Sequence, residues 1–317
     1  IYDSAGTNQI TYVRLAGLGG RVKIRINITP PDTALAPAGS RDTTFIHGRS
    51  TNVVGVKDSA QLLTTINFVA GLIVRPDQNG QTLPNRPIDY NLRAINRGNG
   101  PDSVRLVRYH TRPMWRAQIF DSTATDTIDH LHLGPNGDSA IFILRVTPPA
   151  SVPPTEVDTT IVRGTSFTIP TVYDTAIVNT FIGIQAIVIV DPDQQRNALP
   201  GDTVRYMVNV INAGNATDSI TLRTSGTTPG WFAGIFDSIG AIPLNYVKLI
   251  PFGGRCQIMV KIHSPQNTPP GVRDITIIRG RSTNDTLVSD IATLITTINL
   301  TASIIVDPDR QGTVRPR

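Results

Sequence analysis

Ile189-Val190-Asp191-Pro192-Asp193 is the stretch that decides the fold, because the chain writes it three times. It stands earlier as Ile73-Val74-Arg75-Pro76-Asp77 and later as Ile305-Val306-Asp307-Pro308-Asp309, with successive prolines 116 residues apart. Other landmarks keep the same step: Gly48, Gly164 and Gly280; Asp42, Asp158 and Asp274; Trp115 and Trp231. A fixed period of this length marks a repeat array. It divides the chain into a partial repeat at 1–67, full repeats at 68–183 and 184–299, and the opening of another at 300–317. The first copy carries roughly two extra residues near Pro30–Ala38, where a turn-rich loop tolerates them.

Within a repeat the apolar period is two. Val204, Tyr206, Val208 and Val210 alternate with Arg205, Met207 and Asn209, and Ile88, Tyr90, Leu92 and Ala94 match them. One face of such a strand is buried. The turn Asn212-Ala213-Gly214-Asn215 follows, then a strand from Ser219; Asn96-Arg97-Gly98-Asn99 and Ser103 are the earlier equivalents. A further strand carries Cys256, Ile258, Val260 and Ile262 on one face, matched by Ala140, Phe142, Leu144, Val146 and by Val22, Ile24, Ile26, Ile28. Cys256 therefore reads as a small core residue. Trp115 and Trp231 follow proline-containing turns and are expected to plug the interior. Seven or eight strands per repeat, turns every 8–12 residues and no helical periodicity predict an all-β chain of tandem immunoglobulin-like β-sandwich repeats.

The run Pro200-Gly201-Asp202-Thr203-Val204-Arg205-Tyr206 through Asn212-Ala213-Gly214-Asn215-Ala216-Thr217-Asp218 resembles prokaryotic extracellular Ig-like repeat domains. These include the bacterial cell-adhesion-related domain and the modules appended to glycosidases. Phe252-Gly253-Gly254, Ile262-His263-Ser264-Pro265 and Pro269-Pro270-Gly271 continue the likeness, while Pro84-Asn85-Arg86-Pro87 departs from its Pro-Gly turn. The resemblance implies an Ig-like fold, an extracellular or cell-surface setting and no catalysis; it specifies fold rather than ligand.

Composition narrows the function classes. The net charge is +5 and the pI about 9.6, but the basic residues are scattered singly between apolar ones. A nucleic-acid binder concentrates them in a stripe. There is no run of 18 apolar residues for a membrane span and no signal peptide, and the start at Ile1 rather than Met suggests processing or truncation. Cys256 is the only cysteine, so no disulfide forms within the chain. No phosphate loop, nucleophile elbow or recurring carboxylate pair is present, so neither an enzyme nor a cofactor is expected.

The weak candidates for chemistry are few. His130 and His132 lie two apart on a strand beside Asp129 and could hold a metal, although the next repeat has Tyr246 and Lys248 there. Asp193, with Asp191 and Asp202, could form a calcium cluster at one end of a sandwich. Asn27, Asn215, Asn284 and Asn299 head glycosylation triplets, so glycans are possible partners.

The junctions Thr64–Val74, Thr180–Val190 and Thr296–Val306 are β-prone rather than rich in Gly and Ser. They predict extended passage from one sandwich to the next in a semi-rigid rod. The tail supplies only a first strand, and the head lacks the first strands of its own sandwich. One account is a segment of a longer array. A sharper one has Ala302, Ile304, Ile305 and Val306 of one chain completing the Val22 and Ile24 sheet of the next, although two further strands are then missing. The expected function is a structural segment of an extracellular filament, sheath or stalk, with the chain itself as partner. The alternative is an adhesin arm or a non-catalytic module of a secreted carbohydrate-active enzyme.

Overall fold

A computed structural model describes residues 1–32, 36–300, 302, 304 and 311–315. The described residues form 20 β-strands and no helix, so none is long and apolar enough to cross a membrane as a helix. The first two strands are β1 (Arg41–Arg49) and β2 (Lys57–Thr65). A set of nine follows: β3 (Leu72–Arg75), β4 (Gln78–Thr82), β5 (Ile88–Asn96), β6 (Asp102–His110), β7 (Arg116–Phe120), β8 (His130–Leu133), β9 (Ser139–Thr147), β10 (Val157–Ser166) and β11 (Tyr173–Ile182). The same nine recur 116 residues later, to within one residue, as β12 (Val188–Asp191), β13 (Gln194–Ala198), β14 (Thr203–Asn212), β15 (Asp218–Ser225), β16 (Phe232–Phe236), β17 (Tyr246–Leu249), β18 (Gly254–His263), β19 (Arg273–Arg281) and β20 (Ser289–Ile298).

The later set makes two sheets, ordered β12-β14-β18-β16 and β13-β20-β19-β15-β17. Their inward residues share one core: Tyr206, Val208, Ile258 and Val260 from the first meet Ile220, Ile278 and Leu294 from the second. This is an Ig-like β-sandwich, and the alternation read from Val204–Val210 is the cause: from Tyr206 onward every second side chain of β14 is buried, and Val204 packs against the same core. The earlier set repeats the orders as β3-β5-β9-β7 and β4-β11-β10-β6-β8. Two compact units result. One comprises Ile1–Gly80, Pro87–Thr147 and Asp158–Thr180, and the other Gln81–Arg86, Pro148–Val157 and Phe181–Arg317.

In its first two copies, at 73–77 and 189–193, the Ile-Val-x-Pro-Asp motif is the point where the chain changes sheets. β12 pairs antiparallel with β14, whereas β13 pairs parallel with β20. Proline has no N–H to give a ladder, and the cis peptides Arg75–Pro76 and Asp191–Pro192 lie at the crossings. The following aspartate stitches the crossing down. The Asp193 carboxylate accepts the Thr293 N–H at 2.7 Å, and Asp290 accepts that of Val190 at 2.8 Å. Asp77 and Asp174 do the same for Ile177 and Val74. Because the crossing splits one expected strand in two, each set has nine strands instead of seven or eight.

A buried tyrosine ties the two layers together. Tyr206 donates its hydroxyl to the Ile295 carbonyl at 2.7 Å and lies 2.9 Å from Thr296 Oγ1; Tyr90 lies 2.8 Å from Thr180 Oγ1. Burial holds both phenols above the ordinary tyrosine value of 10.0. The unfolded chain therefore loses these protons first as pH rises, so stability falls above about pH 10. Tyr206→Phe should remove most of its share of that alkaline loss and cost about 1 kcal/mol at neutral pH, read from urea unfolding at pH 7 and above pH 10.

One expected strand does not form. Among the described residues the run of Val22, Ile24, Ile26 and Ile28 has no ladder, and its one pairing is the isolated Tyr2–Arg25 bridge. Val22 is 50% and Ile24 40% exposed. The equivalent β9 lies between β5 and β7, and no described segment of residues 1–32 supplies such flanking strands. β1 and β2 form a two-stranded sheet by themselves.

Candidate functional site

The most built polar feature lies where β14 turns toward β15, over the extended residues that enter β12. Asn212 and Asn215 of this turn are 1% and 2% exposed. Asn212 folds the turn: its Nδ2 donates to the Ala216 carbonyl at 2.8 Å, and its Oδ1 accepts the Gly214 N–H at 3.0 Å. Asn215 reaches outward instead. Its Oδ1 accepts the Gln185 N–H at 2.7 Å, and its Nδ2 donates to the carbonyls of Gly183 at 3.0 Å and Val152 at 3.2 Å. The backbone adds two bonds, Asn215 N–H to Gln185 and Ala213 N–H to Ile187. A segment with no strand partner thus has its backbone polar groups answered by one side-chain amide together with the turn's own N–H groups.

Gly214 is what allows the close approach. A Cβ there would lie 2.4 Å from the Gln185 carbonyl oxygen, a backbone atom that cannot swing aside. The first unit has the same clamp 116 residues earlier. Asn99 accepts the Val69 N–H at 2.8 Å and donates to the carbonyls of Asn67 at 2.9 Å and Ala36 at 3.2 Å. A Cβ on Gly98 would stand 2.4 Å from the Val69 carbonyl. The site is therefore a pair of junction clamps. Each fastens, within one compact unit, the segment that enters the sandwich and a loop from earlier in the chain to the turn, and neither holds an activated nucleophile or acid–base pair. Junction residues 66–71 and 183–187, expected to run on as extended strand between repeats, belong to no strand and are held by the turn instead. The third, Thr296–Val306, lies partly outside the described residues, as do Ile305 and Val306. Ala302 and Ile304 are exposed and outside any strand.

Asn215 is also a correction. Read as a glycosylation acceptor, it is buried with its Nδ2 committed to two carbonyls, so it cannot present that nitrogen in the folded chain. Asn27, Asn284 and Asn299 are exposed. After expression in a glycosylating host, peptide mass spectrometry should find Asn215 bare whatever the occupancy of the other three.

The remaining candidates disperse. Asp193 is the strand staple described above, and Asp202 accepts the Leu199 N–H. Among the described residues no three His, Cys, Asp or Glu side chains gather as a metal cluster, so Asp191, Asp193 and Asp202 do not assemble one. Cys256 and Trp231 pack against the later core, and Trp115 is buried in the earlier one. His130 and His132 lie side by side on β8, outside the clamps.

No protein-family model matches the chain, and no curated protein matches it in sequence. Among solved structures it is similar to extracellular cadherin domains 3–6 of protocadherin gamma B2, at 12% identity and a TM-score of 0.35, over 85% of this chain and 61% of that one. The CupB6 tip adhesin from Pseudomonas aeruginosa matches at 7% identity and a TM-score of 0.28, over 84% and 100%. CBD12 from CALX1.2 matches at 16% identity and 0.27, over 68% and 83%. Similarity of this extent carries no information on function.

Proposed function

We propose that the chain is a structural segment of an extracellular filament, sheath or surface stalk, in which tandem Ig-like repeats pass load through clamped junctions. The observation that carries this reading is the clamp itself. The Asn-x-Gly-Asn turn recurs at both junctions with the same partners, whereas the reactive side chains His130 and His132 give way to Tyr246 and Lys248 in the next repeat. What the repeat keeps is mechanical. On this reading the repeats run 68–183 and 184–299, with 1–67 the later part of one and 300–317 the opening of another; the chain has no catalytic role, and its partner is itself.

Val22 and Ile24, exposed and in no ladder, favour pairing with a strand from a second copy, the segment holding Ala302, Ile304, Ile305 and Val306. Electron microscopy of purified chain and of cell-surface material tests the reading. Ordered fibres, shortened or lost when 300–317 are deleted, are expected. Monodisperse monomers that bind glycans or cells would replace it with an adhesin arm or a spacer module of a secreted enzyme, and unchanged fibres after the deletion would remove strand exchange.

A further inference from the structure

We propose that His130 and His132 form a binding site for a divalent transition-metal ion, held as a two-imidazole chelate on the outer face of β8. The strand sets the spacing. Residues two apart on a strand project to the same side, and these two rings stand 5.1 Å apart between centroids at an interplanar angle of 72°. β8 is an edge strand of its sheet, so among the described residues no further strand lies on its open side.

The second nitrogen of each ring is already engaged. His130 Nδ1 lies 2.7 Å from Asp129 Oδ1. An ionised carboxylate only accepts, so Nδ1 carries the hydrogen and Nε2 presents its lone pair. His132 Nδ1 lies 2.7 Å from Ser103 Oγ, its cross-strand neighbour on β6, which leaves Nε2 as the free ring nitrogen. An outer hydrogen bond of this kind fixes the tautomer and the plane of a metal-binding imidazole. Neither histidine has a role in the core: the His130 side chain is 59% exposed.

The repeat supplies an internal control. Tyr246 and Lys248 occupy the same two positions of β17, and Asn245 replaces Asp129. The sandwich forms with those residues, so the fold does not require the histidines. The His pair and the carboxylate behind it are additions of one repeat.

Imidazole pairs suit Zn²⁺, Ni²⁺ and Cu²⁺, and do not suit Ca²⁺ or Mg²⁺, which take oxygen ligands. The described residues offer no third group to complete the set. The remaining positions on the ion are then filled by water or by a ligand from another molecule, which makes the ion exchangeable.

The test is calorimetric titration of the full, tag-free chain with Cu²⁺, with electron spin-echo spectroscopy of the bound ion. One equivalent should bind and show the remote nitrogens of two imidazoles. His130→Ala and His132→Ala should each weaken binding by at least about 10-fold. Asp129→Asn and Ser103→Ala should weaken it by about 10-fold through loss of the outer hydrogen bonds. His110→Ala and His263→Ala should change nothing. The double variant His130→Tyr/His132→Lys carries side chains the neighbouring repeat accepts at these positions, so it separates ligation from folding. An unchanged isotherm in that folded double variant would overturn the site, as would a bound ion without imidazole nitrogens.

Discussion

Asn215→Ala is expected to destabilise its unit by about 3 kcal/mol. The side chain makes three hydrogen bonds, to Gln185 N–H and to the carbonyls of Gly183 and Val152. Alanine removes all three and leaves buried backbone groups unanswered, each at about 1–3 kcal/mol before water enters. Asn215→Asp should be at least as damaging, because a carboxylate would face two carbonyl oxygens without a hydrogen to offer. Asn99→Ala should behave alike, since Asn99 has the same three partners 116 residues earlier. Asn284→Ala serves as the exposed comparison and should stay within about 1 kcal/mol, as it loses one side-chain bond, to the Thr217 carbonyl. Urea unfolding followed by tryptophan fluorescence reads these differences. A clamp variant as stable as the Asn284 variant would mean that the buried amide is dispensable.

The second large effect belongs to a glycine whose repeats differ in surroundings. Gly280 lies on β19 beneath the crossing strand, and a Cβ there would meet Val190 Cγ2 at 2.8 Å and Ile220 Cγ2 at 3.2 Å. Gly164 is as confined, with Val74 Cγ2 at 2.7 Å. At Gly48, one further repeat back on β1, the nearest atom is the Asp58 carbonyl oxygen at 3.9 Å. Gly280→Val should therefore cost about 3 kcal/mol by overpacking, while Gly48→Val should be close to neutral or slightly stabilising in its strand. Thermal unfolding of the two variants decides the matter. Equal losses would show that this glycine serves the strand itself rather than the strand crossing above it.

Much of this architecture was legible before any coordinates. The period-two runs from Val204 and from Cys256 are β14 and β18, and the recurrence of Ile-Val-x-Pro-Asp gave the repeat. Alternation is a local property, so a linear reading recovers it. The clamp was not legible in that way. The sequence marks the turn as a turn but presents Asn215 as a sugar acceptor, because its partners lie 30, 32 and 63 residues away. The available signal was the coincidence of Asn and Gly at Gly98-Asn99 and Gly214-Asn215, which marks a close backbone approach without saying to what. Val22–Ile28 failed for the opposite reason. Its local pattern is that of a strand, but a strand exists only with neighbours, and here the described residues provide none.

Native-state hydrogen exchange at the amides of Gln185 and Val69 tests the junction clamp most directly. Both N–H groups should exchange as slowly as interior amides of β14 and β5, and should lose that protection in Asn215→Ala and Asn99→Ala respectively while the strands keep theirs. Exchange of Gln185 and Val69 at the rate of an open chain in the unsubstituted protein would show that the repeats are joined by loose linkers, and the load-bearing reading would fail with it.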